Sequence, residues 1–179
     1  AVISLYRPGP MDSIPAYIEN RHHPEKIKYA VPELQSVLDV TNGCMVYQEQ
    51  VMEIFRKLAG YSYGRADIVR RAMSKKKHDV MEQERKYFLH GKQNKDGTVE
   101  CEGAVNRGVE ERIANRIFDD MSSFASYAFN KSHAAAYAII AYQTAWLKSH
   151  YPCEFMAALL SSVIDNSSKI AAYITECGR

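Results

Sequence analysis

The densest set of ligand-grade cations in the chain lies between Gly60 and Lys77, in GYSYGRADIVRRAMSKKK. There Arg65, Arg70, Arg71, Lys75, Lys76 and Lys77 stand against one acid, Asp67. The chemistry open to such a segment is phosphate recognition: a planar guanidinium makes paired contacts with a phosphate, whereas lysine acts as a point charge. Gly60 suits the left-handed residue that closes one helix, and Ser62 suits the cap of the next, which predicts a helix from about Tyr63 to Met73. On it Ala66, Val69 and Met73 share an apolar face, with Arg70 and Arg71 flanking that face and able to approach one ligand from adjacent directions. Cations near a helix C-terminus are also favoured by the macrodipole, and a lysine run is usually a solvated face. The arginines therefore carry more weight than the lysines.

A second group stands far away in sequence. Lys131 and His133 bracket Ser132 at the predicted start of an alanine-rich helix, where free backbone N–H groups and the positive dipole end favour an anion. A protonated His133 could also give a proton to a departing pyrophosphate; the plain alternative is a histidine that only caps a neighbour. Tyr137 and Tyr142 can pack, or stack on a base.

Other groups are weaker. His22 and His23 lack a third ligand at helical or hairpin spacing and read as solvated loop residues. Asp119 and Asp120 fall mid-helix and point about 100° apart, so they are badly placed to share two metal ions. Glu82, Glu84, Glu110 and Glu111 read as solvated helix faces. No metal site is expected. Cys44, Cys101, Cys153 and Cys177 form no CxxC or Cys/His cluster, and read as reduced cytosolic thiols that mostly fill the core.

The 179 residues are 46% hydrophobic and 25% charged, ordinary globular material with room for one sizeable core or two small lobes. Net charge is only +2, so an anionic partner must be argued from where the cations sit, not from the total. The longest apolar tract, Ala134 to Leu147, is interrupted by polar residues and too short for a membrane span. The first and last residues, AVISLYRPGP and ECGR, read as cut from a longer protein.

The elements that must position these residues are mainly helical. Arg7-Pro8-Gly9-Pro10 reads as an extended turn, followed by a helix capped by Ser13 and running to about Arg21. Pro32 opens a short helix over Glu33 to Leu38, Thr41-Asn42-Gly43 is a turn, and Cys44 to Tyr47 reads as a brief buried strand. Val51, Ile54, Phe55 and Leu58 recur at helical spacing within Gln48 to Ala59. Asp79 and Glu82 fit a capping box for a helix to His90, closed by Gly91. The polar segment 92–108 is expected to be a surface excursion, with Asp96-Gly97 turning a small hairpin. Glu110 to Phe124 is helical, with Ile113, Ile117, Phe118 and Met121 on one side, and 125–130 is a loop. A central packed helix capped by Ser132 then runs to about His150. Pro152 starts another helix to about Ile164, and Asn166 to Ser168 starts a last one, closed by Gly178. The fold class is thus mainly α, an irregular multi-helix domain with at most a small β-hairpin near 92–108. Sub-lobes 1–91 and 109–179 would be joined by the polar segment 92–108.

Four stretches, SLYRPGP at 4–10, YQEQVM at 47–52, AGYSYGRADIVRRAMSKKK at 59–77 and FNKSHAAAYAIIAYQTAWLKSHYPCEFMAALL at 129–160, resemble the fingers region of bacterial C-family replicative DNA polymerases. That resemblance implies a fingers domain over 1–179 in the alpha subunit of DNA polymerase III, with 92–108 as a variable insertion. It implies a DNA-directed DNA polymerase, a nucleotidyltransferase of chromosomal replication, acting in the cytoplasm and on no membrane. The fragment would close over the incoming dNTP and the template-primer end. Arg70 and Arg71 would reach the triphosphate, with Lys75, Lys76 and Lys77 as phosphate contacts and Lys131 and His133 lining the same cleft. Arg7, Gln48, Gln50 and Tyr137 are weaker candidates, the glutamines chiefly as scaffolding. Catalytic aspartates and their Mg2+ belong to the palm, outside this chain, so the isolated fragment is expected to be inactive. Template-primer DNA, dNTPs, a sliding clamp and a proofreading exonuclease are the implied partners. The rival reading is a non-catalytic helical nucleic-acid-binding module whose lysines track phosphates; a protein-interaction domain is a third.

Overall fold

A computed structural model describes residues 1–7, 10–75 and 78–178, of which His78 and Asp79 are described by their backbone alone. Among the described residues the chain forms ten α-helices and one two-stranded sheet. It divides into two compact units, Ala1–Ala134 and a second from Ala135 onward.

In the first unit, α1 (Val2–Leu5) and α2 (Ile14–His22) are joined through a 3-10 turn at Pro10–Ser13, and α3 is Gln35–Leu38. Pro8 and Gly9 lie outside the described residues. Ser13 precedes α2 but makes no side-chain cap, contrary to the sequence reading; Pro15 in the first turn already removes one donor that would need capping. The core is built by α4 (Gln48–Ala59), α5 (Tyr63–Ser74), α6 (His78–His90) and α7 (Glu111–Ala125), which pack on one another. Helices α4, α5 and α7 contribute residues of the faces their spacing predicts, Val51, Ile54, Phe55 and Leu58 from α4, Ala66, Val69 and Met73 from α5, and Ile117, Phe118 and Met121 from α7, while α6 adds Phe88 and Leu89. Phe55, Phe88 and Phe118 meet with ring centroids 5.3 to 6.2 Å apart. The α6 helix begins at His78, one residue before the expected cap Asp79, whose side chain lies outside the described residues.

The hairpin turns at Gly97, pairing β1 (Lys92–Gln93) with β2 (Val99–Cys101). Residues 102–105, directly after β2, are no surface excursion. The N–H groups of Glu102 and Gly103 both donate to Ala59 O at 3.0 Å, and those of Ala104 and Val105 donate to Phe88 O and Leu89 O. The segment thus caps the C-termini of α4 and α6, whose last carbonyls have no helical partner. Cys101 and Ala104 are buried as a result. A Cβ at Gly103 (φ 90°) would lie 2.3 Å from Gly91 N, so the close approach of two backbones fixes glycine there.

Cys44 to Tyr47 makes no strand: Tyr47 forms only an isolated parallel bridge with Phe129. Gln50 takes the place of a strand partner. Its side-chain oxygen accepts from the N–H groups of Val46 and Tyr47 at 2.8 and 2.9 Å, and its amide donates to Val37 O and Thr41 Oγ1.

Helix α8 is Lys131–His150. The second unit adds α9 (Pro152–Ser162) and α10 (Ser167–Cys177), which pack together, with Lys148 bonded to Glu176 at 2.6 Å. The sequence reading of α8 as a central packed helix is not met, since Ala135 to His150 are exposed throughout. A helix apolar on every face needs neighbours on every side, and its own unit supplies two short helices. Cys153 and Cys177 are likewise exposed; of the cysteines only Cys101 is fully buried. No helix among the described residues is long and apolar enough to cross a membrane.

Candidate functional site

Helix α5 forms as its sequence requires. Gly60 closes α4 at φ 73°, the Ser62 hydroxyl accepts from Arg65 N at 3.2 Å, and with Ala66, Val69 and Met73 buried, Arg71 is turned outward at the far end with Arg70 beside it. Asp67 organises both. Its Oδ1 accepts from Arg70 Nε and Nη2 at 3.2 and 2.8 Å, and its Oδ2 lies 2.8 Å from Arg71 Nη2. The Arg70 contact first, and Arg71 with it, holds the Asp67 carboxyl below its ordinary range against a smaller opposing effect of burial. The two arginines are not equivalent: Arg70 is 15% exposed and Arg71 68%. Lys75, the C-terminal cap residue of α5, is exposed, and Lys76 and Lys77 lie outside the described residues.

Arg65 is withdrawn from any ligand. It pairs with Glu84, itself only 6% exposed, and its Nε lies 2.8 Å from Glu100 Oε1, while Lys92 Nζ is 2.6 Å from Glu100 Oε2. The sequence reading of Glu84 as a solvated face is thereby corrected: it sits on the inner side of α6 because Arg65 meets it there, and a buried carboxylate requires such a partner.

The second group is assembled by the Tyr47–Phe129 bridge. Gln48 N donates to Phe129 O at 2.9 Å, which seats the start of α4 against the residues before α8. Glu49 then reaches the N-terminus of α8: Lys131 N donates to both its oxygens at 3.1 Å, and Asn130 Nδ2 donates to Oε1 at 3.1 Å. The cap of α8 is Asn130, not Ser132, with His133 N donating to its Oδ1 at 2.8 Å. Arg7 lies with its guanidinium carbon 5.0 Å from the Phe129 ring centre, and the His133 ring is 5.3 Å from the same ring.

Of the residues chosen from sequence, Arg7, Gln48, Lys131 and His133 are thus brought to one place around Phe129 and Glu49. The backbone anion position at the α8 N-terminus is already filled by the Glu49 carboxylate, so an external phosphate has the side chains of Lys131 and His133 to meet, not the helix end itself. Gln50 is 5% exposed with its amide fully engaged, and acts as scaffolding. Tyr137 lies in the second unit, half exposed. Glu49 and Asp67 escaped the sequence reading, because a carboxylate among cations reads as a diluting charge when it is in fact their anchor.

Clefts of the first unit open elsewhere. One of about 400 Å³ is lined by Lys28, Tyr29, Met45, Arg116 and Asp120, and one of about 560 Å³ by Asp12, Ser13, Met45, Asp120 and Tyr127. Burial raises the carboxyl pKa of Asp120. Asp119 is engaged by Arg85, whose guanidinium carbon also lies 4.6 Å from the Phe118 ring centre. Among the described residues no three His, Cys, Asp or Glu side chains are grouped to hold a metal ion.

Residues 1–96 match the family model described as the bacterial DNA polymerase III alpha subunit finger domain. The chain is 50% identical over 181 residues to the DNA polymerase III subunit alpha of Thermus aquaticus, an alignment covering 98% of this chain and 14% of that protein. It is 48% identical to the subunit of the same name from Neisseria meningitidis serogroup A, over 99% of the chain and 14% of the relative, and 45% identical to that of Pasteurella multocida, over 100% and 15%. The chain thus spans about a seventh of the length of these relatives.

Proposed function

The chain belongs to the bacterial DNA polymerase III alpha-subunit finger-domain family, and from that premise we propose that it holds the incoming dNTP by its triphosphate beside the template-primer end of a replicative DNA polymerase. The whole of 1–179 serves as the fingers domain.

The observation that carries this reading is the presentation of Arg71: a guanidinium fixed at one nitrogen by Asp67, yet 68% exposed, keeps its remaining donors for a ligand. A short link of Gly60 to Ser62 folds α5 back on α4. We assign Arg70, Arg71 and Lys75, at the C-terminal end and cap of α5, to the same triphosphate as Lys131, whose N–H donates to Glu49, and His133. In this reading one polyphosphate is met by both groups, with Arg71 and Lys131 as its principal contacts and Arg70 as the inner brace. Lys76 and Lys77 extend the same cationic run in sequence.

In the reaction, the primer 3′-hydroxyl attacks the α-phosphate and pyrophosphate leaves. These side chains neutralise charge on the β and γ phosphates as it develops, with His133 assigned as the proton donor to the leaving group. Magnesium would be held by carboxylates outside this chain; the donor set here does not fit it, with Asp119 committed to Arg85 and Asp120 in a separate cleft. By itself the chain incorporates no nucleotide. Template-primer DNA, a sliding clamp and a proofreading exonuclease are partners of the complete subunit.

The test is steady-state incorporation by the full-length subunit. Each charge-assisted contact is worth roughly 1.5–3 kcal/mol, so Arg71→Ala should lower kcat/KM for dNTP by about ten- to a hundredfold. Primer-template affinity should move little. Near-normal efficiency would remove the arginines from the site, and an even loss of DNA affinity with a shallower salt slope would favour a passive phosphate tracker.

A further inference from the structure

We propose that Asp67 is a positioning residue for dNTP binding, holding Arg70 and Arg71 in one fixed array so that Arg71 meets the triphosphate already ordered. The inference rests on the functional reading above.

The geometry is specific. Asp67 stands three residues before Arg70 and four before Arg71, the two spacings at which helical side chains meet. Its two oxygens divide the work: Oδ1 takes Nε and Nη2 of Arg70, and Oδ2 takes Nη2 of Arg71. Arg70 spends two of its nitrogens on this contact and is nearly covered; Arg71 spends one and remains largely open. An unrestrained arginine loses much side-chain freedom when it grips a ligand, and a partner that has already ordered it removes that loss from the binding step. Opposing this, a carboxylate beside an anion site repels the ligand. Helix-stabilising pairs alone would predict the opposite sign, since removing a pure repeller should tighten dNTP binding.

The experiment compares Asp67→Ala, Asp67→Asn, Arg71→Ala and the Asp67→Ala/Arg71→Ala double variant in the full-length alpha subunit. KM for dNTP, kcat, primer-template affinity and melting temperature are measured for each. Asp67→Ala should raise KM about three- to tenfold, the range set by ordering one or two arginine side chains. Primer-template affinity should be retained. Asp67→Asn keeps the shape and one acceptor oxygen and should recover part of the loss. The double variant should be no worse than Arg71→Ala, because Asp67 acts through that arginine. Unchanged or lowered KM in Asp67→Ala beside a raised KM in Arg71→Ala would overturn the positioning role alone, as would additive losses in the double variant. Normal KM in Arg71→Ala would overturn the functional reading and this inference with it.

Discussion

Glu49→Ala should loosen one junction and leave the core intact. The carboxylate receives the first N–H of α8, shared between its two oxygens at 3.1 Å, and the Asn130 amide at 3.1 Å, across 81 and 82 residues of sequence. Because the site is exposed, water replaces the lost acceptor and the full cost of a buried orphan is not incurred. What is lost is a helix N-terminal acceptor, worth about 0.5–2 kcal/mol, together with an anion at the positive dipole end, about 0.3–1 kcal/mol. Taking these as overlapping, local opening becomes easier by about 1–2 kcal/mol, or about 5- to 30-fold in population. Native-state hydrogen exchange reads this directly. Gln48 N, which donates to Phe129 O, and His133 N, which donates to Asn130 Oδ1, should exchange faster by that factor. Ala104 N, bonded to Phe88 O in the core, should not change. Glu49→Gln keeps an acceptor without the charge and should fall between. Exchange at Gln48 and His133 within twofold of the parent, or an equal acceleration at Ala104, would refute the claim that Glu49 fastens residues 130 and 131 to the start of α4.

Arg65→Met removes the principal partner of a buried carboxylate, Glu84, and should cost about 3–5 kcal/mol in urea unfolding, whereas an exposed pair such as Arg112 with Glu110 should cost under about 1 kcal/mol. Phe88→Ala, at the meeting of three rings, should cost about 3–5 kcal/mol in the same assay. Burial raises the folded-state pKa of Asp120 above its unfolded value, so the folded chain binds the extra proton and stability falls as pH rises from the ordinary carboxylate range through the folded pKa. Asp120→Asn should therefore raise the melting temperature at neutral pH, and the gain should vanish below the ordinary aspartate range. An equal gain at both pH values would show that the carboxyl charge is not its cause.

The helices were legible because their signals are local. Gln48 to Ala59 carries its apolar stripe and its glycine stop within one stretch, and Ser62 announces α5 three residues before the N–H it receives. The candidate cations are legible by type. Their anchors are not, since Asp67 gains its meaning from two side chains on the same helix and Glu49 from a backbone N–H 82 residues away. Glu84 misled for a similar reason: its position on α6 looks solvated until Arg65 arrives from α5. The 92–108 segment looked like an ornament because its polarity hides a structural task, the capping of two helix C-termini by backbone donors that any sequence carries. The exposed α8 shows the converse, an apolar sequence whose neighbours its own unit does not supply.

A dNTP bearing a reactive acyl group on its terminal phosphate labels the lysines that lie against the polyphosphate, and peptide mapping of the full-length alpha subunit after such labelling tests the proposed grip most directly. Lys131 and the lysines at 75 to 77 should be modified, unmodified dNTP should protect them, and Arg71→Ala should reduce the labelling. Modification confined to lysines outside these positions, or labelling of Lys131 that excess dNTP fails to prevent, would contradict the account.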